Sequence, residues 1–80
     1  MSINYNQAAD LYLGSSRSIA LAQGARRFSN AAKAIRFALE EAAPVSLKGA
    51  SLTIGARELS LADLMRLYND DGYPLMRKAA

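Results

Sequence analysis

"LKGASLTIGARELSLADLMRLYN", Leu47–Asn69, carries two extended segments, a turn and a helix with marked borders between them. Successive side chains on a strand point to opposite faces, so Leu52 and Ile54 share one side of the first segment. Gly55-Ala56 supplies a two-residue hairpin turn, which places Leu52 opposite Leu59. Ser60 with Asp63 three residues later resembles a capping box, and Leu59 and Leu64 occupy hydrophobic-staple positions. The hairpin therefore feeds a helix directly. Its apolar face is expected to be Leu61, Leu64, Met65 and Tyr68, with Gly72 and Pro74 closing it.

Upstream, "GARRFSNAAKAIRFALEEAAP" (Gly24–Pro44) contains a second helix. Ala31, Ala34, Ile35, Ala38, Leu39 and Ala42 recur at the three-and-four spacing of an amphipathic helix, with Ser29 or Asn30 as N-cap and Pro44 as the stop. Alanine gives that stripe little apolar area but lets the helix axis approach a sheet closely. Further upstream, "ADLYLG" (Ala9, Leu11 and Leu13 on one side) and "SIALAQGARRF" (Ile19 and Leu21) read as a hairpin across the loop "GSSRS". A bulge at Gly24 is needed to bring Phe28 to the same side as Ile19 and Leu21.

The predicted order is strand, strand, helix, strand, strand, helix: a small α+β domain of ββαββα type, largely antiparallel, with two helices packed on one face. Residues 1–80 are expected to form a single domain, with frayed ends at about 1–6 and 77–80. Sixteen alanines among the eighty residues make the core thin, and the absence of cysteine removes disulfides as a remedy. Without cysteine, a basic leader or a long apolar run, a cytoplasmic chain with no membrane partner is expected.

The chain has no histidine, cysteine or tryptophan. Thiol and imidazole catalysis and the common zinc ligand sets are thereby excluded, and the remaining serines, lysines and carboxylates form no recognisable constellation. "NDDG" (Asn69–Gly72) has the glycine of a calcium loop, but Leu67 and Lys78 stand where oxygen ligands are required, so it reads as a helix end. Neither an enzyme nor a cofactor nor a metal is expected.

The net charge of +3 is unevenly placed. Arg17, Arg26, Arg27, Lys33 and Arg36 follow one another with no acidic residue between them, whereas Glu40 to Asp71 holds six acids against three bases. Arg26 and Arg27 admit two readings. On an extended segment they diverge and lie at a sheet margin, Arg26 flanking the core side and Arg27 facing solvent, where they discourage edge pairing. Alternatively one of them joins Lys33, Ser29, Asn30 and the first amides of the helix in an anion pocket. Phe37 falls off the apolar stripe, among Lys33, Arg36, Glu40 and Glu41. It either tucks against a loop or the C-terminal "GYPLM", or it meets a partner, most simply a second copy of the chain.

The expected function is binding: protein–protein interaction or homo-oligomerisation through Phe37, Lys33 and Arg36. The runner-up is an accessory nucleic-acid binder using Arg17, Arg26, Arg27, Ser29 and Asn30 together with the rest of the basic segment through Arg36.

Overall fold

The computed structural model describes residues 3–75. Among them, β1 (Ala9–Tyr12), β2 (Arg26–Phe28), β3 (Ser51–Ile54) and β4 (Arg57–Ser60) form one antiparallel sheet in the order β2-β1-β3-β4. They are joined by the helices α1 (Arg17–Gln23), α2 (Ala31–Glu40) and α3 (Leu61–Tyr68) and by a 3₁₀ turn at Pro44–Leu47. The α+β class and the two helices over one sheet face are as the sequence predicts. Ala9, Leu11, Leu52, Ile54 and Leu59 point to the helix side, where they meet Ala31, Ala34, Ile35 and Ala38 of α2 and Leu64 and Leu67 of α3 in a single core. Leu52 lies opposite Leu59 as expected. Gly55 has φ +60, which the first residue of the tight turn requires and glycine supplies without strain.

The segment read as the second strand differs. "SIALAQ" is helical, and only Arg26–Phe28 is extended. Alanine is the best helix former and a poor strand former, and the loop "GSSRS" contains a cap: Ser16 Oγ accepts from Ile19 N–H at 3.3 Å. Gly24, with φ +83, ends this helix instead of forming a bulge. Ile19 and Leu21, expected to face the core, are 44% and 47% exposed, and Ala20 is the buried residue of α1.

The start of α1 is seated on two glycines. Gly14 N–H donates to Ser46 O and Gly49 N–H to Gly14 O, both at 2.9 Å. Ala20 lies against Gly14, and Ser16 lies against Gly49.

Ser60 is both the last residue of β4 and the N-cap of α3, so the strand fixes the helix's rotation. The staple residues Leu59 and Leu64 are both buried. Leu67 takes the inward place expected of Met65, which is half exposed. Asn69, not Gly72, ends the helix: its side-chain amide donates to Met65 O at 2.8 Å.

Tyr5 and Tyr73, from the segments before β1 and after α3, meet beside Ala32 of α2. The segment before β1, expected to fray, contains a turn from Gln7 N–H to Asn4 O at 3.1 Å, and Tyr5 O accepts from Ala32 N–H. Tyr73, buried, donates its hydroxyl to Ala32 O at 2.8 Å and packs edge-on to Tyr5. Met76 and the expected frayed tail 77–80 lie outside the described residues.

The α3 cap carries a pH dependence. Asp63 accepts from the Ser60 N–H at 3.1 Å and from its hydroxyl at 3.2 Å, and its own N–H donates to Ser60 Oγ. The Ser60 backbone N–H, followed by its hydroxyl and the nearby Arg66, holds the Asp63 carboxyl below its ordinary value of 3.8. A carboxyl depressed on folding contributes stability that is complete above its unfolded pKa and is lost as pH falls through the folded value. The melting difference between wild type and Asp63→Asn should therefore be steady near neutrality and shrink below about pH 4. A difference independent of pH down to the acid limb would show that Asp63 caps without its charge.

Candidate binding site on the β2–α2 edge

Only Ser29 and Asn30 separate β2 from α2. This short connection lays the end of the strand alongside the helix that follows. Phe28, on the helix side of β2, thereby meets Phe37 of α2, with ring centroids 5.5 Å apart. Phe37 thus tucks against the edge strand, while Tyr73 of the C-terminal segment is occupied by Tyr5, Tyr68 and the Ala32 carbonyl.

Arg26 pairs with Leu11 in the β1–β2 register and so stands on the helix side with Phe28. Its Cζ lies over the Phe37 ring, 4.4 Å from the centroid, and 5.8 Å from that of Phe28. These distances fall within the range of cation–π attraction. Arg27, opposite Asp10, points to the other face and bonds the Asp10 carboxylate at 3.1 Å and 3.2 Å. The divergence of the two arginines is the one the alternation predicts.

Beside this stack is an open hollow of about 260 Å³ lined by Phe28, Lys33, Arg36, Phe37 and Glu41. Lys33 and Phe37 are one turn apart on α2, and Arg36 adjoins them. Among the described residues, Arg26, Lys33 and Arg36 have no carboxylate within ion-pair range. The site is thus a pair of aromatic rings bordered by three cations without an ion-pair partner among the described residues and by one carboxylate, Glu41. It offers apolar contact, bidentate donation from Arg26 and a local excess of positive charge.

The remaining candidates lie elsewhere or are committed. Arg17, on α1, bonds both carboxylate oxygens of Glu58 on β4, at 3.1 Å and 3.0 Å, and does not join the site. Asn30 is the α2 N-cap, its side chain accepting from Lys33 N–H at 2.9 Å. Ala32 N–H is taken by Tyr5 O, so two first-turn amides of the suggested anion pocket already have partners inside the chain. Ser29 is exposed in the connection, and among the described residues its side chain makes no hydrogen bond to Arg26 or Lys33. Phe28 is the site residue that the sequence reading leaves out. Its signal is present nonetheless: Arg26 and Phe28 share a face by alternation, and two residues later the helix begins.

A larger apolar groove of about 460 Å³ runs between the end of α2, the 3₁₀ turn and α3, lined chiefly by Leu39, Pro44, Leu47, Leu61, Met65 and Tyr68. Lys48 is the charged residue of its lining, and the Tyr68 hydroxyl donates to the Glu40 carboxylate nearby. It offers burial with little directional chemistry, whereas the β2–α2 edge offers both. No helix among the described residues is long and apolar enough to cross a membrane. No protein-family model, curated protein or solved structure matches the chain.

Proposed function

We propose that the chain is a non-enzymatic binding module that engages an acidic segment of another protein through the β2–α2 edge. One observation carries the reading: Arg26 is seated on Phe37 with its charge uncompensated by any carboxylate among the described residues. An arginine held on a ring has given up rotamer freedom before a ligand arrives, and its fork of N–H donors matches a carboxylate. Lys33 and Arg36 extend the positive field along the same edge, which speeds encounter with an acidic chain. The absence of histidine and cysteine from the whole sequence supports binding over catalysis.

Two other partners suit this edge less well. A symmetric contact with a second copy would set Arg26, Lys33 and Arg36 near their own counterparts. A nucleic-acid strand would need a basic track, but Arg17 and Arg27 are spent in ion pairs with Glu58 and Asp10. A base would also have to displace Arg26 from the Phe37 ring on which it would stack.

The test is a fluorescence titration at about 0.15 M salt of a glutamate-rich peptide and of a single-stranded oligonucleotide of equal charge. The peptide is expected to bind, and the triple variant Arg26→Ala, Lys33→Ala, Arg36→Ala should bind it at least about tenfold more weakly. Tighter binding of the oligonucleotide, weakened by Arg17→Ala and Arg27→Ala, would overturn the proposal in favour of nucleic acid. A solution mass of a dimer that Phe37→Ser converts to monomer would overturn it in favour of self-association.

A further inference from the structure

Resting on the reading above, we infer that the acidic segment binds in extended form as a fifth strand on the outer side of β2, with an acidic and an apolar residue two positions apart on its helix-facing side. Among the described residues, β2 is an edge strand whose sheet partner is β1 alone. Among the described residues, the backbone groups of Arg26, Arg27 and Phe28 make no hydrogen bond beyond that pairing. An edge of this kind is a ready template for another strand.

The side chains along the edge decide what the added strand carries. A strand beside β2 would lie about 4.8 Å away, with its own side chains alternating between the same two faces. On the helix side it would meet Arg26 and then Phe28, two residues on, with Lys33, Arg36 and Phe37 of α2 beside them. An acidic residue opposite Arg26 and an apolar one opposite Phe28 match that order. On the other side it would meet Arg27, whose charge is shared with Asp10, so a small polar residue suffices there.

Charge also settles which chain takes the place. Antiparallel pairing of β2 with the β2 of a second copy, centred on Arg27, would set Arg27 directly opposite its own counterpart and gather four arginines on one short ladder, where opposed like charges are destabilising. The two arginines thus reject the chain's own edge while accepting an acidic one, and a partner of opposite charge is the occupant.

The probe is the blocked peptide Ser-Glu-Thr-Val-Thr-Glu-Ser, compared with the same peptide carrying proline in place of both threonines. The charge is unchanged in the second, but strand pairing is lost. Affinity is read by fluorescence, and backbone hydrogen exchange at Arg26–Phe28 by NMR on the whole chain. The alternating peptide should slow exchange of at least one of these amides several-fold, and the proline version should bind about tenfold more weakly without protecting them. Equal binding of both peptides with β2 exchange unchanged would overturn strand addition while leaving acidic-ligand binding standing. Failure of both peptides to bind would overturn both.

Discussion

Gly49→Ala is expected to lower the melting temperature by about 12–24 °C, the equivalent of about 3 kcal/mol in a domain of this size. A Cβ built on Gly49 would lie 2.1 Å from the Ser16 carbonyl carbon, 2.2 Å from its oxygen and 2.7 Å from Arg17 N. All three are backbone atoms, so no flexible side chain can swing aside. The segment cannot simply retreat either, because Gly49 N–H is bonded to Gly14 O and Gly14 is bonded to Ser46. Gly14 is itself closed in, since a Cβ there would meet Ala20 N at 2.5 Å. Relief requires α1 to lift off, and with it the Ser16 cap and the Arg17–Glu58 pair that ties α1 to β4. Gly24→Ala is the informative comparison. Nothing lies within 4 Å of the added methyl, so its cost is only the backbone strain of φ +83 with ψ 170, a combination open essentially to glycine alone, about 1–3 kcal/mol. Thermal unfolding followed by circular dichroism measures both. Circular dichroism showing Gly49→Ala helical as the wild type and melting at the wild-type temperature would mean that the Gly14–Gly49 contact does not hold α1.

That contact also marks where the sequence stops being legible. The Leu47–Asn69 stretch is readable because every local signal in it agrees: alternation in β3, a glycine at the turn, and a capping box with a staple at the start of α3. The α2 stripe is readable for the same reason. "SIALAQ" is not, because its apolar residues alternate like a strand while its alanines favour a helix, and the outcome depends on Gly14 and Gly49 coming together from opposite ends of a long separation. No local pattern announces such a pair. The rotation of α3 is a milder case, in which periodicity admits either Met65 or Leu67 and the direct junction with β4 selects Leu67.

The candidate site divides in the same way. The opposite directions of Arg26 and Arg27 follow from alternation alone. The seating of Arg26 on Phe37 does not, because it needs the edge strand to lie along α2, which depends on the strand order β2-β1-β3-β4. Within the linear run of basic residues, tertiary structure separates Arg17 and Arg27, which are paired, from Arg26, Lys33 and Arg36, which have no ion-pair partner among the described residues. This partition turns a compositional asymmetry into a localised site.

Leu64→Ala is expected to leave much of the population unfolded at 25 °C, with a loss of about 4 kcal/mol. Leu64 is fully buried, and of the eight residues of α3 only Leu64 and Leu67 are buried. An isolated helix of that length does not persist in water, so α3 is held by its cap, by these two leucines and, at its last turn, by Tyr68 against the core and Tyr73. The cost belongs in the upper half of the range for such truncations because of what surrounds the cavity. A core relaxes into a void mainly by rotating and shifting large side chains, and the facing stripe of α2 is Ala31, Ala34 and Ala38 around a single Ile35. Alanine has no rotamer to offer. A domain of this length has only a few kcal/mol in hand, so a loss of this size removes most of it. Met65→Ala, one residue along but half exposed, should cost less than about 1 kcal/mol. Urea titration with one-dimensional NMR distinguishes the outcomes: dispersed methyl and amide signals are expected from Met65→Ala and collapsed ones from Leu64→Ala. A Leu64→Ala variant that unfolds cooperatively near the wild-type midpoint would mean that α3 is held mainly by Leu67 and the cap, and that the alanine-rich interface closes over the gap after all.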